Sequence, residues 1–293
     1  MQWILGLLHG TDYLVAHLLL GSLIFYSWIL SAGGEDAQVL ECKKALLLRR
    51  LAVVTLVTSV LWMIVSISDM TESWLPQDLW AGISQTTFGH LWLVRIGVLL
   101  LLSFSVGPLL NTSLGRKILL LLAVTVPLVS GFTGHASAQK SFIFWRESLV
   151  ISHSLSVAVW TGGLFRLHQW LGIRLRLRTV RPEMSHSVVK RFSQFAMAST
   201  GAIGITGIAM AYLAGVSPSH PLSTAYGRLV FLKLALFGLA LGAAALNQFF
   251  HLRNWNPSQE LQFSRVIRRE IRIELALVTG AFLIAGFLAR TSM

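Results

Sequence analysis

Eight long apolar runs, separated by short polar stretches, dominate the chain. They fall at about 12–32, 51–70, 89–110, 117–135, 147–171, 192–214, 228–250 and 272–290. Each is near the roughly 20 residues that a helix needs to cross a bilayer. The pattern predicts an all-α fold, a polytopic membrane helical bundle of about eight transmembrane helices. Residues 3–11 are expected to lie at the membrane interface or to extend the first helix. The opening run lacks the basic leader and cleavage site of a signal peptide and is expected to be retained. The longest connections are about 20 residues, too short for a soluble domain, so residues 1–293 are expected to form a single integral membrane domain.

Composition supports lipid as the solvent. Of 293 residues 54% are hydrophobic and 12% charged, against roughly 25% charged in a soluble domain. So little polar surface could not cover a water-soluble core. The net charge of +12 does not point to nucleic acid, because the basic residues sit in short clusters between apolar runs and no nucleic-acid-binding motif accompanies them. The connections after the first, third, fifth and seventh runs hold 17 of the 24 Lys and Arg. Positive charge collects on the cytoplasmic side, so both termini are expected in the periplasm and the protein in a bacterial inner membrane. Cys42 is the sole cysteine, which excludes an intrachain disulfide. With no Walker motif, no P-type phosphorylation motif and no transporter-type repeat, the sequence implies neither an energy source nor an enzyme.

Histidines are the candidate chemistry. At about 1.5 Å per residue, His135 ends the fourth run near the periplasmic surface, and His153 lies about 9 Å below that surface in the fifth. His17 has a similar depth in the first. An imidazole inside a membrane is costly unless it faces the bundle interior and has a partner, so His17, His135 and His153 are the leading metal candidates. His9, His90 and His220 are first of all interfacial anchors, with His9 and His90 as secondary candidates. Met63, Met70 and Met210 lie on the same side, and thioether with imidazole suits monovalent copper. His186 sits in a basic connection and is expected to be solvated. Two histidines at equal depth could instead hold haem b, as in a bis-histidine membrane cytochrome. An outer pair would come from His17, His135 and His153, an inner one from His168 and His251. Arg95 and Lys233 either snorkel to the interface or pair with a buried anion such as Asp12 or a cofactor carboxylate. Gly201, Gly204 and Gly207, and the pair Gly162-Gly163, are expected to admit a close neighbouring backbone.

Several of these residues stand in a recognisable order. Thr87-Phe88-Gly89 with Trp92, Gly134-His135-Ala136, His153 followed by Trp160-Thr161-Gly162-Gly163-Leu164, Lys190-Arg191-Phe192-Ser193, and Tyr226-Gly227-Arg228-Leu229 with Lys233 and Asn247 together resemble the copper resistance D (CopD) family, in its short eight-helix branch. The resemblance covers about 85–250. It implies copper handling: binding at the periplasmic face, transport toward the cytoplasm, and a periplasmic copper-binding protein as partner. His135 and His153 stand in matching motifs. Val150 stands where some members have a second histidine, one turn before His153, and His17 does not align with the family's first-helix histidine.

Overall fold

The computed structural model describes residues 2–30, 37–132, 143–177, 182–216, 220, 222–246, 249–250, 255–289 and 291. Its helices are α1 (Gln2–Ile24), α2 (Ala37–Thr71), α3 (Pro76–Gln85), α4 (Thr87–Leu109), α5 (Ser113–Phe132), α6 (Ile143–Leu177), α7 (Pro182–Leu213), α8 (Ala225–Leu246) and α9 (Glu260–Leu288). All but α3 are long and apolar enough to cross a membrane, giving eight candidate spans among the described residues. The all-α fold and the number of spans agree with the apolar pattern.

Helices α2 and α7 begin at Ala37 and Pro182, well before the apolar runs at 51 and 192, and three further differences each have a physical reason. Helix α1 begins at Gln2 and runs on through a π-helical turn, Phe25–Ile29, so residues 3–11 extend the first span. Helix α9 begins at Glu260, well before 272. Its added turns are amphipathic, with Phe263, Ser264, Ile267 and Ile271 buried at the three- and four-residue spacing of one helical face, and Arg265, Arg269 and Arg272 exposed. Helix α3 is an amphipathic segment between two spans. Pro76 occupies its first turn, where a missing N–H costs nothing, and Gly82 lets it settle on Ile67. Thr86 then caps α4, its hydroxyl accepting from the Gly89 N–H at 2.9 Å.

Helix α1 is the axis of the bundle and packs against α2, α5, α6 and α9. Close approach is built from glycine. A Cβ on Gly21 would stand 1.9 Å from the Ala158 carbonyl oxygen, and one on Gly162 would stand 2.5 Å from the Gly21 Cα, so α1 and α6 touch backbone to backbone. Gly286 of α9 meets Gly6 and Gly10 of α1 in the same way. The start of α1 and the end of α9 therefore lie together at one end of the bundle, here the terminal end. The arginine-rich ends of α6 and α9 mark the opposite, basic end. Helices α2, α4 and α5 pack on one side of α1, with α6 to α9 on the other. Helices α7 and α8 are consecutive yet barely touch among the described residues, since α7 leans on α6 and α8 on α9. A gap remains between them.

Candidate metal centre and its cavity

Helix α1 carries His9, Tyr13 and His17 at four-residue spacing, hence on one face. Their rings form a ladder: Trp62 to His9 4.5 Å, His9 to Tyr13 6.0 Å, Tyr13 to His17 4.3 Å, His17 to Phe282 5.3 Å. His17 is fully buried. Its Nδ1 is 2.7 Å from the Tyr13 carbonyl oxygen, which can only accept, so in the neutral ring Nδ1 carries the proton. Nε2, 2.9 Å from the Ser154 hydroxyl, then accepts from it. The Nε2 lone pair thus points at α6, one residue from His153.

His153 is held by the same logic on the other side of α6. Its Nδ1 lies 2.9 Å from Thr206 Oγ1, and the Thr206 hydroxyl donates to the Ala202 carbonyl. With that proton committed, Thr206 accepts from His153 Nδ1–H, which leaves Nε2 as the ring's lone-pair nitrogen. A ligating imidazole is oriented in this way, by a hydrogen bond from its other nitrogen. Gly207 lies beside the ring, where a Cβ would make an ordinary contact 3.5 Å from His153 Cε1.

His153 lines a cavity of about 610 Å³ in the gap between α7 and α8, walled by α6 and α9. The lining runs from Leu288 and Thr291 at the terminal end down to Trp160 and Phe237. Tyr13, Tyr226, Met210, Arg146 and Lys233 also line it, so it offers an imidazole, a thioether, two phenols and two cations. Val150, one turn before His153, faces the same space. Among the described residues His153 is the one histidine on this wall, whereas an axial pair for haem needs two imidazoles facing one space.

Other candidates fall elsewhere. His135 and His251 lie outside the described residues. Met63 is buried in a cluster with Leu5, Trp62, Ile67 and Trp92, and Met70 is exposed at the end of α2. His90 is exposed, its Nε2 2.9 Å from the Ser84 carbonyl oxygen, and His220 is exposed in the connection before α8. His168 Nδ1 lies 3.2 Å from the Arg268 carbonyl oxygen at the basic end, where His186 stacks on Trp255 at 4.4 Å. Among the described residues no three His, Cys, Asp or Glu side chains converge as a metal cage.

Two open questions of the sequence are answered by packing. Arg95 does not snorkel: it pairs with Asp12 at 2.8 Å, both side chains 0% exposed, and donates to Ser130. The second Asp12 oxygen accepts from Ser59 at 2.7 Å and Thr58 at 3.0 Å. The glycine stripe of α7 admits no backbone. Gly201 is exposed with nothing within 4 Å, while Gly204 and Gly207 line the cavity and meet the Phe237 ring and His153. The Gly162-Gly163 pair does what was expected, with Gly162 against α1 and Gly163 against Phe192 of α7. Sequence reasoning missed Tyr13, whose spacing midway between His9 and His17 was the available signal. It also missed Ser154 and Thr206, which join their histidines across 137 and 53 residues of sequence and leave no local trace.

Two family models match the chain: "Copper resistance protein D-like, N-terminal domain" over residues 1–143 and "Copper resistance protein D" over residues 186–288. Both matched regions contribute to the α1–α9 contact. The chain is 29% identical over 222 residues to copper resistance protein D of Pseudomonas syringae pv. tomato, covering 71% of this chain and 68% of the relative. It is 27% identical over 207 residues to copper transport protein CutJ of Bacillus subtilis (strain 168), covering 67% of this chain but 36% of that longer protein. No solved structure matches it.

Proposed function

The chain belongs to the copper resistance protein D family, and from that premise we propose that it binds copper at the periplasmic face of the inner membrane and passes it toward the cytoplasm. The family is one of copper resistance and transport, and eight candidate membrane spans lie among the described residues. The copper ion is cargo, received from a periplasmic copper-binding protein at the terminal end of the bundle. That end faces the periplasm because the opposite one carries the arginines.

The observation that carries this reading is His153. It stands on the wall of a cavity that reaches the terminal end, with Nδ1 committed to Thr206 and the Nε2 lone pair left for an ion. Met210 on the same wall supplies a soft donor that favours the monovalent ion. His17 joins when Ser154 turns away from Nε2, and by its place in the sequence His135 is a further candidate donor. This donor set is small and shared with a cavity that also holds Lys233, as suits an ion that must leave again.

The test is copper binding by the purified protein. His153→Ala should lower monovalent copper affinity by at least about ten-fold, as loss of a ligand or of its support does. His186→Ala, in the ring stack at the basic end, should leave it unchanged. Equal losses from both would mean a general folding defect and defeat the local site. A colourless, copper-binding protein supports the reading, whereas stoichiometric haem with a Soret band overturns it.

A further inference from the structure

The outer cavity has a companion. On the basic side of Trp160 a second cavity, of about 220 Å³, is walled by the same four helices, α6 to α9. The division is sharp. On α7 the outer lining stops at Ile203 and the inner begins at Thr200, on α8 the boundary falls between Phe237 and Leu241, and on α9 between Val278 and Glu274. Trp160 alone lines both. Its ring meets Phe237 edge-on, with centroids 5.6 Å apart and planes at 87°. Among the described residues its indole N–H has no hydrogen-bond partner, so no polar contact ties the ring to one rotamer.

The two cavities are lined by side chains of opposite sign. Lys233 and His153 both line the outer one. The inner one is lined by Glu274, which is 2% exposed, together with Ser193, Thr200 and the thioether of Met197 at its exposed rim. A carboxylate inside a span is costly, faces the bundle interior or a cavity, and is by default a candidate for an ion pathway. A cation moving from beside a lysine to beside a glutamate moves down an electrostatic gradient, and in a medium of low dielectric such a gradient is steep.

Resting on the copper reading, we propose that the inner cavity is a second cation site, in which Glu274 and Met197 receive monovalent copper after it passes Trp160. A carboxylate supplies neutralising charge and a thioether supplies softness. Two donors suffice for an ion that is handed on rather than stored.

The test uses the full chain in proteoliposomes, with monovalent copper kept reduced outside and a copper-chelating dye trapped inside. Copper binding to the same preparations is measured in parallel. Glu274→Gln should slow uptake by at least about ten-fold while leaving His153-dependent binding intact. Met197→Leu, which keeps volume, should slow it several-fold, and Trp160→Ala should speed it. If both inner variants transport at the wild-type rate while His153→Ala does not, the inner site is refuted and the copper reading stands. If the wild-type protein neither binds nor transports copper, both fail. Should Glu274→Gln also lose outer binding, it is misfolded and Met197→Leu decides: slowed uptake with binding retained supports the site, and an unchanged rate overturns it.

Discussion

The Asp12–Arg95 pair shows at single-residue scale what a membrane core demands. Both side chains are fully buried, and the carboxylate is satisfied by Arg95, Ser59 and Thr58, so each charge exists only by virtue of the others. Removing one partner of such a pair leaves an uncompensated charge and costs about 3–5 kcal/mol, whereas replacing both by apolar groups is often close to neutral. Asp12→Ala should therefore lower the thermal midpoint in detergent sharply. The double variant Asp12→Leu with Arg95→Met should recover most of the loss. A double variant no more stable than Asp12→Ala would show that the pair does more than neutralise itself. The sequence offered Asp12 only as one of several partners for Arg95, because the two lie 83 residues apart and only the α1–α4 neighbourhood brings them together.

Glycine separates packing from access at the scale of the helix. By composition the glycines of α6 and α7 look alike, and both were expected to admit a neighbouring backbone. In α6 Gly162 does so, with Gly21 and the His17 carbonyl against it. Gly201 in α7 has open space in front of it. Gly162→Val should therefore force α1 and α6 apart, at a cost of at least about 1–3 kcal/mol, and displace Ser154 from His17. Gly201→Ala should be tolerated. Fluorescence-detected size exclusion after a heating series will separate the two, and equal stability of both variants would contradict the close α1–α6 contact. A glycine stripe in a sequence reports that something needs space, but not whether the space is filled by backbone or left as a cavity.

Orientation belongs to the whole molecule. Contact between Gly286 and Gly6 and Gly10 puts the start of α1 and the end of α9 at one end of the bundle, and the arginine-rich ends of α6 and α9 lie at the other. If the positive end is cytoplasmic, a reporter fused after residue 293 should be active only outside the cytoplasm, and one inserted between α6 and α7 only within it. Strong cytoplasmic activity at the C-terminal fusion would invert the bundle and, with it, the direction proposed for copper. The same architecture explains why α8 is the least buried span. It packs on α9 and, among the described residues, barely meets α7, and the gap it leaves is the outer cavity.

What the sequence determined by itself is what the solvent dictates. Runs of about 20 apolar residues must be helical in lipid, because no water is present to satisfy a free backbone. The number of spans follows from counting those runs, and depth along each helix follows from its rise, which singled out His17 and His153. Where a helix is amphipathic rather than uniformly apolar, as in α3 and the first turns of α9, that signal fails, because hydropathy registers lipid contact and not contact with a neighbour. Only the tertiary structure decided which helices are neighbours. It gave Arg95 its partner, put Ser154 on one histidine and Thr206 on the other, and stacked two cavities against a single tryptophan. These contacts join residues tens to more than a hundred positions apart, and in a bundle where every helix is apolar on most sides the chain carries no local mark of which side meets which partner.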